Sequence, residues 1–225
     1  MFSAVGLFQG RSTRIEGSNE KGVYRAIELL RQFTLGEDIP VEKKIVVIGG
    51  GNVAMDIART LARLQKRMFG NVDIVVTSLE SRDIMPADEE EIVEAEEEGI
   101  SFIPARGPKK IEKSQTGLKL FTVKCLRVFD DTGRFSPQFE ENDKVILEAD
   151  MIVEAIGQAP LPGWIEFSQK DKIEMSGRRI KVDEFYQTSL KQLFVGGDIV
   201  EGPDVISAIA SGHKAAQGID KFLSE

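Results

Sequence analysis

Three consecutive glycines, Gly49, Gly50 and Gly51, interrupt an apolar run and are followed at once by a helical pattern. Residues of this type at a strand-to-helix junction can hold a pyrophosphate by backbone contacts alone. Gly49, Gly51 and Ala54 fit G-x-G-x-x-A. The first position permits the tight turn, the second lets the pyrophosphate approach the main chain, and the third keeps helix and strand close. Asn52 and Val53 begin the helix, whose free N–H groups would face the phosphates. Asn52 and Asp56 have side chains suited to supporting the turn by hydrogen bonding rather than to reacting. A glycine loop alone is a weak signal, but here both flanks are legible. Lys44 to Ile48 is β-branched and apolar, as a parallel strand buried on both faces should be. Met55, Ile57, Ala58, Leu61, Ala62 and Leu64 supply the apolar positions of the following helix.

A second strand-glycine-helix pattern occupies the tail, where Phe194-Val195-Gly196-Gly197-Asp198 precedes Pro203 and an apolar helical stretch. Gly197 allows close backbone approach, and Asp198 can accept a hydrogen bond from a ribityl or ribose hydroxyl. The helix after Pro203 would turn its positive end to the same place. Taken by itself this segment is equally a strand packed on a helix.

The elements that must position these residues form an α/β chain without internal repeats. An opening segment, Ala4 to Leu35, has a strand-like start, a polar loop and a helix in which Val23, Ala26, Ile27, Leu30 and Phe33 share a face. Gly36 to Val41 reads as a linker. After the glycine turn come a second strand, Val72 to Thr77, an acidic helix, Ala87 to Glu98, and a third strand, Ile100 to Ile103. From Lys109 to Leu147 the pattern becomes β-rich, with Leu118, Leu120, Thr122 and Lys124 partly alternating and a turn at Asp130 to Gly133. This predicts an antiparallel insertion. Met151 to Gly157 returns as a buried strand ending in glycine.

Composition bounds the function. The 225 residues are 41% hydrophobic and 29% charged, ordinary for a globular protein, and no apolar run approaches the ~20 residues of a membrane span. No basic region precedes the apolar residues at the start, so a secretory signal is not expected and a cytoplasmic setting is the default. Cys125 is the sole cysteine, which excludes an internal disulfide, a Cys-x-x-Cys pair and a cysteine-held iron–sulfur cluster within these residues. A net charge of −8 argues against nonspecific nucleic-acid binding.

Four motifs in order resemble one family: Val47 to Asp56, Met85-Pro86-Ala87 with the acidic helix running to Glu97-Glu98-Gly99-Ile100-Ser101-Phe102, Ala155-Ile156-Gly157-Gln158, and Phe194 to Asp198. Together they are similar to the glutamate synthase small-subunit family of flavin-dependent pyridine nucleotide oxidoreductases. The resemblance implies a Rossmann-like NAD(P)-binding domain with a parallel sheet and antiparallel β insertion, plus a partial FAD-binding domain. Residues 1–40 would be a remnant of the FAD domain and a linker helix, 41–158 the NAD(P)H domain, and 159–225 the C-terminal FAD segment. It places Ala155, Ile156 and Gly157 near a nicotinamide, and Gly197 and Asp198 against FAD. The family's N-terminal FAD glycine loop has no counterpart in this sequence. FAD is therefore expected only together with that missing half, or with a larger oxidoreductase subunit carrying it. No catalytic acid or base is assigned, because hydride transfer depends on stacking nicotinamide on flavin.

The choice between NADH and NADPH turns on the end of the second strand, where a carboxylate favours a ribose hydroxyl and arginines favour a 2′-phosphate. Relatives using NADPH commonly carry paired arginines before Met-Pro. Counting back from Met85 without a gap puts Leu79 and Glu80 there; a slide toward Met85 puts Ser81 and Arg82 there. Glu80 and Arg82 are thus both candidates.

Other conspicuous residues have plainer readings. Asp88 to Glu98 holds eight acidic residues in eleven positions, a solvated helix face with Ile92, Val93 and Ala95 turned inward. His213 belongs to the tail helix, Cys125 is a small buried residue, and Trp164 and Phe167 pack a loop. Two other functions stay open beside the oxidoreductase: a non-catalytic dinucleotide-binding regulatory module, and a structural fragment that binds no nucleotide.

Overall fold

The computed structural model describes residues 1–160, 172–176, 179–202 and 204–224. The chain divides into two compact units, one of Met1–Gln9 with Gln158–Glu225 and one of Gly10–Gly157. It opens with β1 (Phe2–Ser3), and crosses between units at β2 (Gln9–Gly10).

The Gly10–Gly157 unit is built on a five-stranded parallel sheet. In chain order it contains β3 (Val23–Arg25), α1 (Ala26–Thr34), β4 (Ile45–Ile48), α2 (Asn52–Phe69), β5 (Ile74–Thr77), α3 (Glu89–Glu97) and β6 (Ser101–Ile103). The long strands β7 (Arg106–Ser114), β8 (Gly117–Phe129) and β9 (Phe135–Ala149) follow, and β10 (Met151–Glu154) completes the sheet in the order β3-β10-β4-β5-β6. Every pairing in it is parallel. Ile45 and Val47 pack with the helices, whereas Val46 and Ile48 face the opposite way, onto Ile111, Leu118, Leu120 and Leu147 of the antiparallel sheet β7-β8-β9. The apolar run that reads as a doubly buried strand is therefore the middle of three layers. Each large side chain fully buried here, such as Ile45, Met55 or Leu61, contributes roughly 1.5–3 kcal/mol.

Several elements differ from the sequence expectation for identifiable reasons. Val23 lies in β3 rather than on the helix, because it pairs beside Ile152 of β10. Leu29 takes the buried position on α1 and Phe33 is exposed. The β3–β10 pairing sets β3 at the edge of the five-stranded sheet, inside the Gly10–Gly157 unit. In β8 a register shift between Val123 and Lys124 leaves Thr122 and Val123 both buried and turns Lys124 outward. Val93 is 40% exposed, while Ile92 and Ala95 carry the packing of α3.

The other unit holds β11 (Gln158–Ala159), β12 (Met175–Ser176), β13 (Arg179–Ile180), β14 (Phe194–Val195) and α4 (Val205–Ser224). Here β1 runs parallel to β14 with Phe2 opposite Phe194. Ile173, Ile180, Leu193, Val195, Ile199 and Ala215 form its core. No helix among the described residues is long and apolar enough to cross a membrane.

Candidate dinucleotide-binding site

The junction between β4 and α2 has three glycines with three different surroundings. Gly49 has φ +146° and donates its N–H to the Thr77 carbonyl at 2.8 Å; a Cβ on it would fall 2.3 Å from the Ala155 carbonyl oxygen. Only glycine lets the ends of β4 and β10 come so close. Gly50 turns its carbonyl to the Ala87 N–H at 3.0 Å, and a Cβ there would meet Ser78 Cβ at 3.0 Å and Glu80 Oε2 at 3.2 Å. Gly51 caps α2 with ordinary extended backbone and no side-chain cap, and the nearest atom to its Cβ position is Pro86 Cγ at 4.0 Å. A phosphate therefore has room at Gly51 that it lacks at Gly49 and Gly50.

The first turn of α2 then presents backbone donors to that space. The N–H groups of Asn52 and Val53 have no intrahelical acceptor, as in the first turn of any helix. The Asn52 side chain is committed elsewhere. Its Nδ2 donates to Asp88 Oδ2 at 2.9 Å, and its Oδ1 accepts the Asp88 N–H at 2.8 Å. This reciprocal pair fastens the start of α2 to the start of α3. Val53 packs against the helix-layer core and Ala54 is fully buried against it.

At the end of β5, Ser78 is buried and its carbonyl accepts the Arg106 N–H, while the Glu80 carbonyl accepts the Ala105 N–H. The loop is thus fixed by backbone, with the Glu80 carboxylate beside Gly50. Arg82 turns to the acidic helix instead. Its Nη1 and Nη2 each lie 2.8 Å from a Glu89 oxygen and its Nε 3.2 Å from Glu96 Oε1. Hydrogen bonding to Glu89, ahead of that to Glu96, pushes the guanidinium further up from its ordinary value.

The end of β10 adds a group that the sequence reading passed over. Glu154 is fully buried, pairs with Arg25 Nη1 at 2.7 Å, and accepts hydrogen bonds from the Thr13 N–H at 3.0 Å and the Thr13 hydroxyl. The only signal was a charge inside the apolar run Met151 to Ile156. These contacts hold the loop around Thr13 against the strand end. Ala155 continues the ladder by donating to Ile48, Ile156 packs against the antiparallel-sheet core, and Gly157 has φ +98° with its carbonyl taking the Arg11 N–H. The fold thus gathers Gly49 to Ala54, Glu80 and Ala155 to Gly157 at the carboxyl edge of one parallel sheet, where ligands of open α/β sheets bind.

Gly197 and Asp198 belong to the other unit. Gly197 has φ +73° with its N–H on Ser211 Oγ at 2.8 Å. Asp198 lines a cavity of about 560 Å³ with Asp204, Val205, Ala208 and Ile209. The start of α4 is less positive than its position suggests, because Asp204 Oδ2 accepts the Ser207 N–H at 2.7 Å. Val205 and Ile206 are more than 70% exposed there. His213 is exposed on α4, and Cys125 is buried with its thiol pushed up by burial. Trp164 and Phe167 lie outside the described residues. Among the described residues no group of three or more potential ligands could hold a metal.

A glycine turn leading from a central parallel strand into a helix is the signature of dinucleotide-binding α/β domains, and here helices cover one face of the sheet and the antiparallel strands the other. The chain belongs to the pyridine nucleotide-disulphide oxidoreductase family, whose model matches residues 2–217. It is 33% identical over 99% of its length to the glutamate synthase [NADPH] small chain of Escherichia coli K12, and 32% identical over its full length to the NADP(+)-dependent formate dehydrogenase subunit beta of Moorella thermoacetica. It spans 50% and 32% of those relatives respectively. Among solved structures, it is similar in fold to T. acidophilum thioredoxin reductase, with TM-score 0.70 and 18% identity over 100% of this chain and 66% of that one. Mycobacterium tuberculosis FprA in complex with NADPH gives TM-score 0.72 at 18% identity, over 99% of this chain and 63% of that one.

Proposed function

We propose that this chain forms the pyridine-nucleotide-binding part of a flavin-dependent oxidoreductase that passes hydride from NADH or NADPH to FAD and onward to a partner. The observation that carries this reading is the open Gly51 position beside the Asn52 and Val53 N–H groups, which have no intrahelical acceptor, within a chain of this family. The names of the relatives bring NADPH into the reading. In it, Gly49 to Ala54 hold the pyrophosphate, with the main-chain N–H groups of Asn52 and Val53 as donors. Ala155, Ile156 and Gly157 border the nicotinamide.

The flavin, when bound, supplies the two-electron acceptor chemistry. Residues 41–158 then serve as the nucleotide domain, and residues 1–40 and 159–225 as linker helix and FAD-domain segments. Asp198 and the first turn of α4 fit a polyol and an apolar ring, since carboxylates and exposed aliphatic side chains line the same cavity. We place the remaining FAD contacts outside these 225 residues, in keeping with the greater length of the relatives. The chain's own task is to position and to exclude water rather than to move a proton.

The test is a visible spectrum of the purified chain followed by calorimetric titration with each nucleotide. Saturable 1:1 binding, lost in Gly51→Glu with its melting transition preserved, supports the reading. A folded Gly51→Glu that binds as the parent does would move the site elsewhere.

A further inference from the structure

We propose that this chain selects NADH over NADPH and that the Glu80 carboxylate makes the selection. The inference rests on the reading of the glycine turn as a pyridine-nucleotide site, and it departs from the relatives whose names carry NADPH. Glu80 follows the end of β5, the strand beside β4, so its place in the fold is where a dinucleotide's adenosine ribose is read. Its Oε2 stands 3.2 Å from the Cβ position of Gly50, and the backbone on both sides is fixed through Ser78 and Ala105. Among the described residues no cation pairs with this carboxylate. It is therefore free to accept hydrogen bonds from the ribose 2′-hydroxyl, and it would stand against a 2′-phosphate.

The cation that could have received such a phosphate is occupied. Among the described residues the Arg82 guanidinium's hydrogen bonds, two at 2.8 Å to Glu89 and one at 3.2 Å to Glu96, go to α3. To reach a 2′-phosphate, Arg82 would have to give up a bidentate carboxylate partner. Charge around the loop adds to the discrimination. Ser78 to Glu98 contains ten acidic side chains and Arg82 as its one basic residue. Arg59 and Arg63 of α2 offset part of this by pairing with Glu91, Glu94 and Glu98 on α3. They do not pair with Glu80.

The experiment is calorimetric titration of the whole chain with NADH and with NADPH, repeated for Glu80→Gln, Glu80→Arg and Arg82→Ala, with circular dichroism melting to confirm that each is folded. The parent should bind NADH at least tenfold more tightly than NADPH. Glu80→Gln should bring the two affinities within about threefold by removing the charge alone, and Glu80→Arg should invert the order. Arg82→Ala should leave the NADPH affinity within about twofold. A parent that binds NADPH as well as NADH overturns the inference while leaving the proposed function standing. The same holds if the ratio is unmoved in both Glu80 variants, or if NADPH affinity falls tenfold in Arg82→Ala. Folded parent protein that binds neither nucleotide overturns the proposed function, and this inference with it.

Discussion

Gly49 and Gly51 are two residues apart and answer to different demands. At Gly49 both the positive φ and the Ala155 carbonyl exclude a side chain. Gly49→Ala should cost about 2–4 kcal/mol, through strained backbone and a forced separation of β4 from β10. For a chain of this size that lowers the melting temperature by roughly 5–15 °C. Gly51→Ala should stay within about 1 kcal/mol of the parent, since only the weak capping preference of glycine is lost. Its penalty should fall on nucleotide affinity instead, because the methyl group occupies the approach to the backbone. Differential scanning calorimetry of the two variants separates these roles. Equal melting temperatures would mean that β4 and β10 tolerate separation at their ends.

At the scale of elements, Gln65 and Arg59 add polar ties to the apolar face of α2. Gln65 is fully buried, donates to the Glu42 carbonyl at 2.7 Å and accepts the Asp73 N–H at 2.9 Å, so one side chain ties the approaches to β4 and β5. Gln65→Leu leaves those backbone groups without partners and should lower unfolding stability by about 1–3 kcal/mol, read as a reduced urea midpoint at constant slope. Arg59 joins α2 to α3 by reaching Glu91, Glu94 and Glu98. Burial raises the Glu98 carboxyl, but hydrogen bonds from Arg63 and Arg59 outweigh it and hold the group below its ordinary 4.5. A carboxyl depressed in the folded state adds stability that is present above pH 4.5 and is lost as pH falls through the folded value. Arg59→Met should therefore lose about 1–2 kcal/mol at pH 7 and progressively less as pH falls below 4.5. A loss independent of pH would assign the contribution of Arg59 to packing of its stem.

At the scale of the molecule, the Gly10–Gly157 unit is continuous in sequence and contains both of the cores that sandwich the parallel sheet. A fragment of residues 10–157 should fold by itself, melt in one cooperative transition, and bind pyridine nucleotide within about threefold of the whole chain. Loss of affinity in a folded fragment would show that the site needs residues from the other unit. Asp198→Ala, in the complementary unit, should leave nucleotide affinity unchanged under the same titration.

Much of this was written locally. The Lys44 to Ile48 run, the three glycines and the apolar spacing of α2 specify strand, turn and helix within about 25 residues, because buried parallel strands and amphipathic helices differ in period. The order of four motifs then pointed to the family that the chain belongs to. What short-range pattern could not carry was pairing between distant residues. Whether Val23 is helix or strand depends on β10, some 130 residues away. The burial of Gln65 and Glu154 depends on partners from other strands and loops, since a polar residue is buried only where such partners converge. The same reason decides Glu80 and Arg82. Both are charged and one residue apart in the same loop, and only the packing of α3 binds Arg82 into carboxylate pairs and leaves Glu80 beside the glycine turn.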